Sequence, residues 1–350
     1  MKRTLVWLGI IVSQFSILDA ATWILNGNGN WSVGANWDSG VAPGTGVDPA
    51  ANFGSAITAA RTVGIDGTFT LNTLSFDNAF SYTLEEVGMN VLTLNGTIDV
   101  LQGNHTIDAP INLAGNSSIL VNGGASATLV DAISGSSILG KNGTGTLILG
   151  GNNTFNLLAF NEGIISISNG NQLGSGEVVF NGAATLVTTQ TLERDKTLRM
   201  NNGTDAGTIS VANGTTFTHS GLLLGSGNLV KTGGGIASFT NSLGFTGPIN
   251  LQAGTLAAAN FGGTETITMQ GGTTFQPLDG FSSSRPITLA GNAAILVDGS
   301  ASATIGGVIS GSSILGKNGT GTLILGENNT FDLLAFNAGT ISISNGNQLG

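Results

Sequence analysis

Glu193, Arg194, Asp195, Lys196 and Arg199, packed into "LERDKTLRM", form the densest cluster of ionisable side chains in this 350-residue chain. Carboxylates beside cations can bind a charged ligand, and a correctly spaced carboxylate pair can cleave a glycosidic bond. The competing reading is a self-paired, solvated loop bulging from one turn of the fold, and it is preferred. "LEEVG", with Glu85 and Glu86, reads the same way. The only histidines, His105 and His219, lie 114 residues apart in Asn- and Thr-rich strands, and each reads as a polar ladder member rather than a base. Without a G-x-S-x-G context they support no serine triad. Zinc needs several His or Cys ligands, and the chain has no Cys. The Gly-rich strings do not form a phosphate loop, and no G-G-x-G-x-D calcium nonapeptide occurs. No catalytic, cofactor-binding or metal-ligating residue is therefore assigned, and no cofactor is expected.

The elements that would position these groups are set by composition. Fifty-six residues are Gly, 40% are apolar and 9% are charged. So much Gly weakens helix interiors, only 6 Pro without a Gly-X-Y period exclude collagen, and the apolar content argues against disorder. The net charge of −10, with only 10 Lys and Arg, disfavours nucleic acid, whose binding depends on displacing phosphate counterions. An anionic membrane surface is disfavoured for the same reason.

The chain opens "MKRTLVWLGIIVSQFSILDAAT". Lys2 and Arg3 precede the apolar run Leu5–Val12, and Ala20 and Ala21 offer a small-residue cleavage site, the layout of a secretory signal peptide. The run is shorter than the roughly 20 residues a spanning helix needs, and no later segment resembles one. Cleavage after Ala20 removes Lys2, Arg3 and Asp19 and leaves a net charge of −11.

"ISGSSILGKNGTGTLILG" occurs at Ile133–Gly150 and again, unchanged, at Ile309–Gly326, 176 residues later. Around it, apolar residues alternate with polar ones and Gly or Asn-Gly follows each short run. This is the pattern of strands separated by corners. A weaker copy, "GSGNLVKTGGGIASFTNS", lies midway, with Lys231 90 residues after Lys141 and 86 before Lys317. Hairpins are the alternative, but a stack of turns accepts such an insertion most easily, because each turn needs only its neighbours. At roughly 20–24 residues per turn, rising about 4.8 Å each, the duplication adds about eight turns. Parity points Leu147 and Leu323 inward and Ser166 outward. It also points Lys141, Lys231 and Lys317 inward, where an unpaired ammonium is very costly. The expectation is that each strand bends at its Gly-rich corner and releases the Lys to solvent. A shared anion-binding row is the functional alternative.

These strings resemble the autotransporter-associated β-strand repeat of bacterial autotransporter passengers. Lys141, Gly143, Gly145, Thr146, Leu147, Leu149, Asn153, Thr154, Phe155, Gly163, Leu173 and Gly174 carry the resemblance. Lys317, Gly319, Gly321, Thr322, Leu323, Leu325, Asn329, Thr330, Phe331, Gly339, Leu349 and Gly350 repeat it. The middle copy keeps Lys231, Gly233 and Gly235 and is otherwise degenerate. "ATWILNGNGNWSVGANWDSGVAPGTG", with Trp23, Trp31 and Trp37, is similar to the segment that often precedes such repeats. Those Trp read as a cap over the first strand edge, with a sugar-stacking platform as the alternative. The resemblance implies an all-β fold, a right-handed parallel β-helix, with residues 1–20 a signal peptide, 21–75 an N-terminal cap region and 76–350 the solenoid. It also implies type V secretion and a surface-exposed or secreted passenger held by a C-terminal β-barrel. A structural or adhesive role without catalysis is expected, with host-cell or matrix macromolecules as partners; the alternative is a polysaccharide lyase or hydrolase. "SNGNQLG" runs on into "SGEVVFNG" after Gly174 but stops at Gly350, so further repeats and the barrel are expected to follow.

Overall fold

Alternating apolar residues with Gly at the corners produce a stack of parallel strands. The computed structural model describes residues 20–46, 49–201 and 203–350; the leader expected in residues 1–19 lies outside them. Apart from the 3-10 turns Gly34–Asn36, Gly170–Leu173 and Gly346–Leu349, regular structure among the described residues is strand. Successive turns pair in parallel and build a β-solenoid of about 14 turns. Ile119 lies opposite Lys141, Lys141 opposite Phe160 and Phe160 opposite Phe180. A turn contributes strands to up to three walls, as in Glu177–Phe180, Ala184–Thr188 and Leu192–Arg194, whereas in the preceding turn the 3-10 segment Gly170–Leu173 takes the place of the third strand. Inward Leu, Ile, Val and Phe fill one continuous core. "LEEVG" is not a bulging loop: Tyr82–Glu86 is a strand paired with Arg61–Ile65, because Tyr82 and Leu84 alternate into the core.

The N-terminal Trp residues belong to that core. Trp23, Trp31 and Trp37 are at most 1% exposed. Trp37 meets Trp31 and Trp23 edge-on at 4.9 and 5.2 Å, and Phe53 lies within 5.9 Å of all three. Each indole N–H is bonded to a backbone carbonyl, of Leu25, Pro43 and Trp31 respectively. No ring face is open for stacking a sugar. The cluster closes the apolar interior beside the strand Ala21–Thr22, which pairs with Ala50–Phe53.

The signature lysines behave differently from expectation. Lys141, Lys231 and Lys317 point inward and are fully buried. Lys141 Nζ donates to the carbonyls of Asn142, Gly143 and Glu162 at 2.9, 2.6 and 3.1 Å. Lys231 and Lys317 make the same three bonds, to Thr232, Gly233 and Ala253, and to Asn318, Gly319 and Ala338. An ammonium has three donors, and the corner supplies an acceptor for each, so no release to solvent is needed. Gly143 (φ 74°) and Gly163 (φ 82°) make this cradle possible. A Cβ on Gly163 would stand 2.3 Å from the Gly143 carbonyl oxygen and 2.9 Å from Lys141 Nζ.

Nor do the lysines form a row. One strand beyond Lys141 stands Leu147, and the column Leu147, Ile165, Leu186, Ile209 ends four turns later on Lys231. One strand beyond Lys231 stands Ala237, and Ala237, Leu256, Phe275, Ile295 ends four turns later on Lys317. Each copy therefore advances four turns and one strand, which places the three lysines on three different walls. The duplication spans eight turns and two strands.

Candidate functional site

The charged cluster is not a bulging loop. Leu192–Arg194 is a strand paired with Thr216–His219. Leu192 and Arg194 face inward while Glu193 faces out. Arg194 is 4% exposed, and its guanidinium donates to the carbonyls of Gly170, Gly174 and Gly176 at 3.1, 3.3 and 2.6 Å. Burial draws its pKa down to about 10, opposed by Asp195, so it stays charged at neutral pH. Arg285, 91 residues later, does similar work. It donates to the carbonyls of Phe245, Gly247, Gly262 and Glu265 and lies 5.7 Å from the ring centroids of Phe245 and Phe261.

The corner that Arg194 braces is held rigid by amides. Asn153 Oδ1 accepts from Ile133 N–H at 2.7 Å, and Nδ2 donates to the Gln172 carbonyl at 2.6 Å. Gln172 Oε1 accepts from the Ser168 and Asn169 N–H groups, and Asn169 Oδ1 from Asn171 N–H. This reciprocal capping box recurs at Asn345 and Gln348, and Asn329 bonds Ile309 and Gln348 at the same 2.7 and 2.6 Å as Asn153 bonds its partners.

Between this corner and the next turn lies a pocket of about 300 Å³, bounded by Asn152, Thr154, Asn171, Glu193, Asp195 and Lys196 and floored by Arg194 and the corner glycines. Asp195 pairs with Lys196 at 3.2 Å, which holds its carboxyl below the usual range. The side chains of Asn152, Thr154, Asn171 and Glu193 are exposed and have no protein partner among the described residues. The structure thus unites Glu193, Arg194, Asp195 and Lys196 with Asn152, Thr154 and Asn171; of these three the sequence marked only Thr154, and that as part of the repeat and not as a site residue. Their signal was available in the repeated "NNT" and in the Asn169/Gln172 spacing. Arg199 stands apart, paired with Glu177 at 2.7 Å, and Glu85 and Glu86 lie several turns away.

The histidines are core members, not surface ladder members. His105 accepts from Tyr82 N–H on Nδ1, at 3.0 Å, and donates from Nε2 to the Gln102 carbonyl. Burial lowers its pKa. His219 stacks on Phe217 and meets Phe239 edge-on, and burial pulls its pKa down to about 4. Neither reaches the pocket. Among the described residues no group of three or more His, Cys, Asp or Glu is placed to hold a metal ion.

Comparison with known proteins gives one informative likeness. The chain is 32% identical over 174 residues to the adhesin BmaC autotransporter of Brucella suis biovar 1 (strain 1330). The aligned stretch covers 46% of this chain and 5% of that protein's length. No family model matches the chain, and no solved structure does. The likeness and the β-solenoid together fit an autotransporter passenger domain.

Proposed function

We propose that this chain is part of a surface-exposed or exported autotransporter passenger, and that it acts as an adhesive scaffold rather than as an enzyme. The observation that carries the reading is the unbroken parallel solenoid combined with the likeness to an autotransporter adhesin. A solenoid presents long faces on which macromolecules can dock, and host-cell or matrix components are the proposed partners. Export would be directed by the N-terminal leader, with a C-terminal β-barrel as translocator. The enzymatic reading draws on one feature, the placement of Glu193 and Asp195 at a pocket. Against it, both His are buried in the core, and Asp195 is paired with Lys196. The test is to display the passenger on a non-adherent bacterium and count bacteria retained on epithelial cells and on immobilised matrix. Adherence above the empty-vector level is expected. Cleavage of a polysaccharide by the purified chain, lost in Glu193→Gln, would replace this reading with the enzymatic one.

A further inference from the structure

We propose that the pocket between the Asn152–Thr154 corner and Glu193–Lys196 is a binding site for a neutral saccharide. The proposal deepens the adhesive reading and rests on it for its biological use.

The first argument is internal comparison. Bracing a corner requires only the arginine, because Arg285 does it between Ser284 and Pro286. Arg194 stands instead between Glu193 and Asp195, with Lys196 following. In a chain with 9% charged residues, these three exposed charges are surplus to the structural task. The second argument is preorganisation. Asn171 and Asn152 project from a corner whose backbone is locked by Asn153, Asn169 and Gln172, so few degrees of freedom are lost when a ligand binds.

The third argument is chemistry. The residues that line the pocket are all polar, charged or glycine, so carbon surface from their stems lies beside hydrogen-bonding groups, as the mixed faces of a sugar ring require. Two amides, a hydroxyl and a carboxylate without protein partners offer donors and acceptors together, as neighbouring sugar hydroxyls require. The charges of Glu193, Arg194, Asp195 and Lys196 sum to zero, so the pocket carries no net charge to draw an ionic sugar in preference to a neutral one. A volume of about 300 Å³ is at the small end for ligand clefts, room for a terminal saccharide unit of a longer glycan. Within the 350 residues the second copy repeats the corner at Asn328–Thr330 and Asn347, while the charged wall Glu193–Lys196 stands opposite the first. Binding by these 350 residues is expected at the first corner.

Saturation-transfer NMR and titration calorimetry of the purified chain would test this, with lactose, diacetylchitobiose and maltotriose as neutral probes, sialyllactose as anionic and oligolysine as cationic. At least one neutral probe should bind with a stoichiometry of one. Glu193→Gln and Asn171→Ala should each weaken it about 3–10-fold, the loss of one hydrogen bond. Asn347→Ala should leave it unchanged, and circular dichroism should show all three variants folded. Absence of neutral binding overturns the proposal. So do affinities unmoved by Glu193→Gln and Asn171→Ala, or a preference for oligolysine that disappears in high salt. Adherence assays on the same variants separate the two readings. Wild-type adherence without saccharide binding defeats this proposal alone, whereas saccharide binding without adherence defeats the adhesive reading and leaves the site.

Discussion

Replacing Lys141 with Met keeps the length of the aliphatic stem but removes the ammonium. The carbonyls of Asn142, Gly143 and Glu162 then lose their donor. Leaving three buried acceptors unsatisfied costs about 1–3 kcal/mol each. Against this, the substitution relieves the cost of burying a charge. Burial pushes the Lys141 pKa from 10.5 down to about 8, with Glu162 opposing, and such a shift corresponds to roughly 3 kcal/mol. The net expectation at pH 7 is a loss of about 3 kcal/mol. Because the native pKa lies below the unfolded one, the unfolded chain binds more protons between pH 8 and 10.5, and stability from this group rises with pH across that window. Below pH 8 both states are protonated and the contribution is constant. The gap between wild type and Lys141→Met should therefore widen by up to ~3 kcal/mol as pH rises from 8 to 10.5. A solenoid opens locally, so the assay is hydrogen–deuterium exchange across Ile138–Asn142 and Leu157–Phe160, compared at each pH. Local opening should be about 100-fold more frequent in Lys141→Met at pH 7. Exchange within a few-fold of wild type would show that water satisfies the three carbonyls. A gap that narrows as pH rises would show that the cradle favours the ammonium more strongly than burial opposes it. Either result refutes the reasoning.

Phe160 and Phe336 share the local sequence "LLAFN" but are 0% and 54% exposed, so Phe160→Ala should cost about 3–5 kcal/mol and Phe336→Ala less than half of that. Equal denaturant midpoints for the two variants of the 350-residue chain would mean that Phe336 is covered in solution. Leu147→Asp places a carboxylate in a fully buried column and should abolish protection of Thr146–Leu149, while Ser166→Asp, on the outward face, should leave it near wild type; comparable loss at both sites would reverse the facing assignment. The leader layout predicts a mature N-terminus at Ala21 or Thr22, and Edman sequencing of exported protein that still starts at Met1 would dispose of that expectation.

Local sequence determined a good deal of this protein. Period-two alternation placed Leu147 and Leu323 inward and Ser166 outward, and Gly at the corners announced short stacked strands, because side-chain facing and positive φ are properties of a few neighbouring residues. The position of the Trp cluster and the length of a turn were legible for the same reason. What local sequence could not decide depends on atoms from other turns. Parity aimed Lys141 at the core, but whether it stayed there depended on the Glu162 carbonyl, 21 residues away. Arg194 looked solvated among its charged neighbours until Gly170, Gly174 and Gly176 of the previous turn supplied its acceptors. His105 and His219 sat in polar strings whose alternate positions face Phe76 and Phe217. The wall on which each lysine lies is the accumulated result of every turn length between copies, and one strand's difference rotates the whole motif to another face. The pocket is the same kind of fact. Asn171 and Glu193 become neighbours only because one complete turn separates them, and parallel stacking closes that distance.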